Sequence, residues 1–179
     1  MTETSAAPHH VDRGLLTPEQ QLACARSRVE MQHYMAERCR EREDAPRDIL
    51  CLGGGSGLSP MVSISRAAAH SAALQGRNIY FVYGGRTPRD ICGEEFLREL
   101  PGFGERIHYT PVISMVDDPT SAGWTGKTGF VHDVAEEMFG DKLANFEVYF
   151  AGPPLMAQSV TKMLIKAKVP GSQMHFDQF

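Results

Sequence analysis

Between Leu52 and Met61 the chain reads Gly53-Gly54-Gly55-Ser56-Gly57-Leu58-Ser59-Pro60, its densest run of residues with chemical meaning. Glycines let a backbone approach an anion closely. Where such a turn opens a helix, unpaired N–H groups and the positive end of the helix dipole face that anion too. Pro60 suits the first turn, where its missing N–H would have had no partner anyway. The chemistry on offer is capture of a phosphate or diphosphate. The spacing departs from the standard dinucleotide fingerprint, because G-x-G-x-x-G read from Gly53 places Leu58 at the third glycine, and read from Gly55 places Pro60 there. The next apolar run ends in Tyr83-Gly84 rather than in an acid that could meet a ribose. Taken alone, the loop therefore also reads as a plain glycine-rich turn. Gly126-Lys127-Thr128 has the ending of a P-loop, but Ser121 occupies the place of its first glycine. Two further loops are rich in small residues: Gly84-Gly85-Arg86-Thr87-Pro88 and Ala151-Gly152-Pro153-Pro154-Leu155-Met156.

These loops need a scaffold, and the pattern around them supplies one. Short apolar runs at 49–52, 78–83, 107–113, 146–150 and 173–176 alternate with helical stretches at 60–73, 93–100, 129–139 and 154–168. Continuous apolar strands separated by helices indicate a parallel sheet covered on both faces. The expected fold is α/β and three-layered: a five-stranded parallel sheet of order 3-2-1-4-5, helices on both faces, and an added N-terminal helix. All three small-residue loops then fall at the carboxyl edge of the sheet, where ligands bind in open parallel sheets. Upstream, residues 1–17 read as a flexible tail and 18–47 as a helical segment. Its helix spans 18–43, with Thr17 as cap and Pro18 in the first turn. Residues 48–179 form the α/β domain.

Composition narrows the function classes. A net charge of −4 favours neither nucleic acid nor an anionic membrane. No apolar run reaches the roughly 20 residues of a spanning helix, and the N-terminus has no apolar signal core, so a cytoplasmic location is expected. Cys24, Cys39, Cys51 and Cys92 form no C-x-x-C pair and are expected to be reduced thiols holding neither zinc nor an iron–sulfur cluster.

Four segments, in order, resemble the pyridine-nucleotide domain of the ferredoxin–NADP reductase superfamily. They are Gly54-Gly55-Ser56-Gly57-Leu58-Ser59-Pro60, Tyr83-Gly84-Gly85-Arg86, Trp124-Thr125-Gly126-Lys127-Thr128-Gly129-Phe130-Val131, and Ala151-Gly152-Pro153-Pro154-Leu155-Met156. The chain closes on Asp177-Gln178-Phe179, similar to the acidic-x-Phe that ends many relatives. The resemblance covers residues 48–179. It is strongest to the reductase components of bacterial multicomponent oxygenases serving methane, toluene and phenol monooxygenases.

The resemblance implies roles. Ser56 and the N–H groups around Gly54, Gly55, Gly57, Leu58, Ser59 and Pro60 would hold the pyrophosphate and nicotinamide ribose. Tyr83, Gly84 and Arg86 would lie toward the adenosine ribose, with Ser114 and Asp118 after the third strand. Gly152, Pro153, Pro154 and Met156 would line the nicotinamide side. Ala151 stands where many relatives have Cys beside the nicotinamide, and Phe179 would sit where flavin and nicotinamide meet. Ala151 and Phe179 are thus the positions nearest the reacting atoms. Arg86 reads equally as a solvated cation, Trp124 reads as a packed aromatic, and His108, His132 and His175 read as structural or exposed. Asp117 and Asp118 stand where NADPH-using relatives tend to be basic, which favours NADH, while Arg86 keeps NADPH as an alternative.

The family's flavin barrel carries R-x-[YF]-[ST], and residues 1–47 hold no such motif. FAD is therefore expected on another domain or chain, a flavin-binding domain or flavoprotein. That flavin would pass electrons to an iron–sulfur centre, the ferredoxin or oxygenase component. Alone, the chain is expected to catalyse little. Two other readings stay open: a free-standing nucleotide-binding or regulatory module, and a truncated reductase remnant.

Overall fold

The structure, a computed structural model, describes residues 47–178 and, upstream, positions 29, 30, 33, 34 and 37. Those upstream positions are helical and exposed. The rest of the expected helix 18–43, the expected tail 1–17 and Phe179 lie outside the described residues.

Six parallel strands make one sheet: β1 (Asp48–Gly54), β2 (Ile79–Gly85), β3 (Ile107–Ile113), β4 (Lys127–Thr128), β5 (Phe146–Gly152) and β6 (Met174–Gln178). Their order is β4-β3-β2-β1-β5-β6. The expected count of five is corrected to six; without β4, the expected order 3-2-1-4-5 is recovered. β4 escaped the pattern because it is two exposed residues, Lys127 and Thr128, paired with Val112 and Ile113. So short and polar a strand leaves no apolar signal. Pro111 is tolerated in β3 because β4 begins its pairing only at Val112, which leaves that outer edge open.

The helices are α1 (Leu58–His70), α2 (Glu94–Arg98), α3 (Val131–Phe139) and α4 (Pro154–Lys166). α1 ends at His70, three residues before the expected end, where Ser71 turns extended. Strand residues alternate between two cores. Ile49, Cys51, Phe81 and Tyr149 face α1 and α2 through Met61, Ile64 and Leu97. Leu50, Leu52, Val148 and Phe150 face α3 and α4 through Val134, Val160 and Leu164. Both faces are covered, which is why the strands read as unbroken apolar runs.

Arg106 closes the far end of α1. Its guanidinium donates to the carbonyls of Ala69 (3.1 Å), Ala68 (3.4 Å), Arg77 (3.0 Å) and Leu74 (3.3 Å). A cation there satisfies helix-end carbonyls and complements the dipole. At the same amino end of the sheet, His175 Nε2 lies 2.7 Å from the buried Glu147 Oε1, and His108 stacks on Tyr80. Cys51 is buried and Cys92 exposed, and neither forms a disulfide; Cys24 and Cys39 lie outside the described residues. Among the described residues, no group of three metal-ligating side chains forms, and no helix is long and apolar enough to cross a membrane.

Candidate functional site

β1 runs extended to Gly54, and the chain turns at Gly55 with φ +56°, a conformation that favours glycine. It then crosses the end of β5 so closely that a Cβ on Gly57 would overlap the Ala151 carbonyl. α1 starts immediately afterwards, with no side chain capping its first N–H groups. The Tyr83 hydroxyl donates to the Gly55 carbonyl (3.1 Å) and pins the turn. Burial, reinforced by the Cys92 thiol, pushes the Tyr83 phenol well above its ordinary range, so it remains a neutral donor.

On the α3–α4 side of this loop lies a cavity of about 810 Å³. That is within the roughly 300–1,000 Å³ usual for small-molecule sites. Its walls come from the loop at Gly54–Gly55, the end of β2 with Arg86 and Asp90, Ser114 after β3, the stretch Gly129–His132 at the start of α3, and the first turns of α4 with Pro153. Neither α3 nor α4 has a side-chain cap, so the free N–H ends of two helices meet the glycine loop around one space. Such ends favour anions by about 0.3–1 kcal/mol each. Met156 packs into the gap between Gly54 and Gly152, where a Cβ on either would meet its sulfur at 2.6 and 2.8 Å. The glycines that end β1 and β5 and the methionine two residues after the double proline thus form one packing unit.

Of the residues expected to bind cofactor, Gly54, Gly55, Tyr83, Gly84, Arg86 and Ser114 line the cavity, as do Pro153 and Met156. Ser56 is exposed outside this wall, and Gly57 is buried in the close crossing. Leu58, Ser59 and Pro60 form the first turn of α1, with Leu58 packed on the core under that helix. Pro154 is exposed at the start of α4, and Gly152 is buried beneath Met156. Ala151 is fully buried behind the loop, and Phe179 lies outside the described residues. Asp118 points to its own turn, where Oδ1 accepts from Thr120 N (2.8 Å) and Thr120 Oγ1 (2.6 Å). Those two bonds hold its carboxyl below the usual range. Trp124 closes its own loop by donating to the Lys127 carbonyl (3.0 Å). Lys127 pairs with Glu137 (2.7 Å), so Gly126-Lys127-Thr128 serves an edge strand.

The structure adds wall residues that sequence reasoning did not place. Phe130, 61% exposed, stacks on His132 at 5.7 Å between ring centres. Leu155, Ser159 and Lys162 present one face of α4, four and three residues apart, and Gln158 joins them. A polar helix face has no apolar periodicity to reveal it. Asp90 also lines the cavity and had a detectable signal, since Thr87-x-x-Asp90 is a capping box.

Comparison with known proteins agrees with this geometry. Residues 51–162 match the family described as the oxidoreductase NAD-binding domain. The chain is 34% identical over 138 residues to a ferredoxin–NAD(P)(+) reductase, CarAd, of Metapseudomonas resinovorans, covering 77% of this chain and 39% of that protein. It is 31% identical over 144 residues to the reductase component of propane 2-monooxygenase of Gordonia sp. (strain TY-5), covering 79% and 40%. Among solved structures, the ferredoxin reductase of carbazole 1,9a-dioxygenase superposes with a TM-score of 0.63 at 31% identity, over 74% of this chain and 38% of that one. The chain thus spans well under half the length of these relatives. With its parallel sheet, glycine loop and open cavity, it belongs to the oxidoreductase NAD-binding domain family and is an NAD-binding domain of the ferredoxin–NADP reductase superfamily.

Proposed function

We propose that this chain binds NADH and presents it to FAD held by another domain or chain, as the nucleotide half of an oxygenase-type ferredoxin reductase. The observation that carries the reading is the meeting of the Gly53–Gly57 loop with the uncapped starts of α3 and α4 around one cavity. A diphosphate there would receive backbone N–H groups and aligned dipoles without an induced rearrangement. Phe130 offers an exposed ring face for a purine, and Pro153, Leu155 and Met156 add to the wall. When bound, the dinucleotide supplies a hydride, and the task of these residues is position and exclusion of water. No side chain of this chain has to donate or accept a proton. Two relatives are reductases of oxygenase systems, which supports a ferredoxin or oxygenase component as the eventual acceptor.

Titrating the purified chain with NADH and following nucleotide fluorescence tests this. Saturable one-to-one binding is expected, weakened at least tenfold in Gly55→Val, which forces a β-branched residue into a left-handed turn. Equal affinity in a folded Gly55→Val would remove the loop from the site. Mixing with a flavin-binding reductase domain and watching flavin absorbance bleach under NADH separates a reductase module from a binding module.

A further inference from the structure

We propose that the segment leading into β1, residues 18–46, docks as a helix on the side of β5 and β6 that the described helices leave uncovered, and closes that side to other proteins. This goes beyond the NADH-binding reading and does not depend on it.

Strand alternation defines the face. Phe146 and Val148 of β5 and Met174 of β6 pack into the core under α3 and α4. Glu147, Tyr149 and His175 therefore point to the other side of the sheet. There the His175 ring stacks on Tyr149 at 4.7 Å between ring centres, and its Nε2 lies 2.7 Å from Glu147 Oε1. On this side α1 lies over β1 and β5, whereas the described helix that packs on β6 is α4, from the opposite side. β6 is also the edge strand. A histidine on an edge strand with no helix above it should stand largely in water. The His175 side chain is instead only 12% exposed, and that of Glu147 only 2%.

The chain itself identifies the cover. Arg47, the last residue before β1, sets its guanidinium 3.6 Å from Glu147 Oε2, so the entering chain arrives at this face. Upstream, positions 29, 30, 33, 34 and 37 are helical and exposed. That spacing is one side of a helix, so the opposite side is the one available to the protein. In the sequence the opposite positions are Cys24, Arg28, Met31, Met35 and Cys39. Four of the five are sulfur side chains, which adapt to an irregular apolar surface. The fifth is a cation suited to a face that carries a buried carboxylate. Length is sufficient as well, since a helix over 18–43 would run about 39 Å against roughly 23 Å for the seven residues of β5.

The test is thiol labelling of the full 179-residue chain, read cysteine by cysteine by mass spectrometry. Cys92 is exposed and sets the reference rate. Cys24 and Cys39 are expected to react at least about tenfold more slowly than Cys92, because local opening must uncover them first. Met35→Asp is expected to abolish that protection and to speed amide hydrogen exchange in β6, with β2 and β3 unchanged. Val29→Asp, on the exposed side, is expected to change neither. Cys24 and Cys39 reacting as fast as Cys92 in the unaltered chain would overturn the proposal, and this arm requires no variant to fold. So would faster exchange in Met35→Asp confined to elements other than β5 and β6. Protection that vanishes on dilution, together with a dimer in sedimentation, would also overturn it by giving the face to a second copy of the chain.

Discussion

At residue 57 a Cβ has nowhere to go, because the Ala151 carbonyl already fills that space; at residue 55 space is free and only the left-handed backbone resists. Two glycines two residues apart are thus required for different reasons. Gly57→Val is expected to destabilise the fold by about 3 kcal/mol, the scale of overpacking a closed core. Phe130 behaves in the opposite way. With 61% of its surface exposed it contributes little to the core, so Phe130→Ala should stay within about 0.5 kcal/mol of the parent. If a purine stacks on it, worth about 1–3 kcal/mol, the same variant should lose roughly tenfold in NADH affinity. Urea melts paired with NADH titrations check both variants. A Phe130→Ala protein that binds as tightly as the parent would assign the base elsewhere.

At the scale of elements, the turn after β2 shows how a short polar segment becomes part of a site. Thr87 and Asp90 cap one another, Arg86 accepts from Met115 N through its carbonyl (2.8 Å), and the end of β2 is thereby tied to the loop after β3. Because the Asp90 carboxyl is held below its ordinary range, its folded pKa lies under the unfolded value of about 3.9. Its contribution to stability is then present above that unfolded value and lost as pH falls through the folded one. Asp90→Asn should accordingly be less stable than the parent at pH 7, with the gap closing as pH falls through the folded pKa. Thermal melts across that range check this, and a gap that does not change with pH would show that the carboxylate charge does not brace the turn. The two-residue β4 is likewise made by its surroundings. Its pairing with Val112–Ile113 and the Lys127–Glu137 ion pair define it, and neither is visible from Lys127 and Thr128 alone.

For the whole molecule, a ligand gripped between β1, β2, α3 and α4 should stabilise everything those elements join. At a hundred times its dissociation constant, NADH should add about 2.7 kcal/mol, or about 5–10 °C in Tm for a domain of this size. Differential scanning fluorimetry with and without NADH reads this directly, and an unmoved melt at saturating NADH would exclude the site.

The sequence alone determined the alternation of strands and helices, the five longer strands in order, and the glycine loop at the carboxyl edge. These are local matters: buried parallel strands must be apolar on both faces, and a tight turn into a helix must carry small residues. Which side chains share the cavity was decided only by the tertiary structure. Asp90, Phe130, His132, Leu155 and Lys162 come from three separate segments and carry no common period, while Asp118, promising by position, is spent on its own turn. Proximity among such residues depends on which strands are neighbours and how closely Gly57 lets α1 cross β5. That packing decision involves atoms about a hundred residues apart, and no window along the chain contains it.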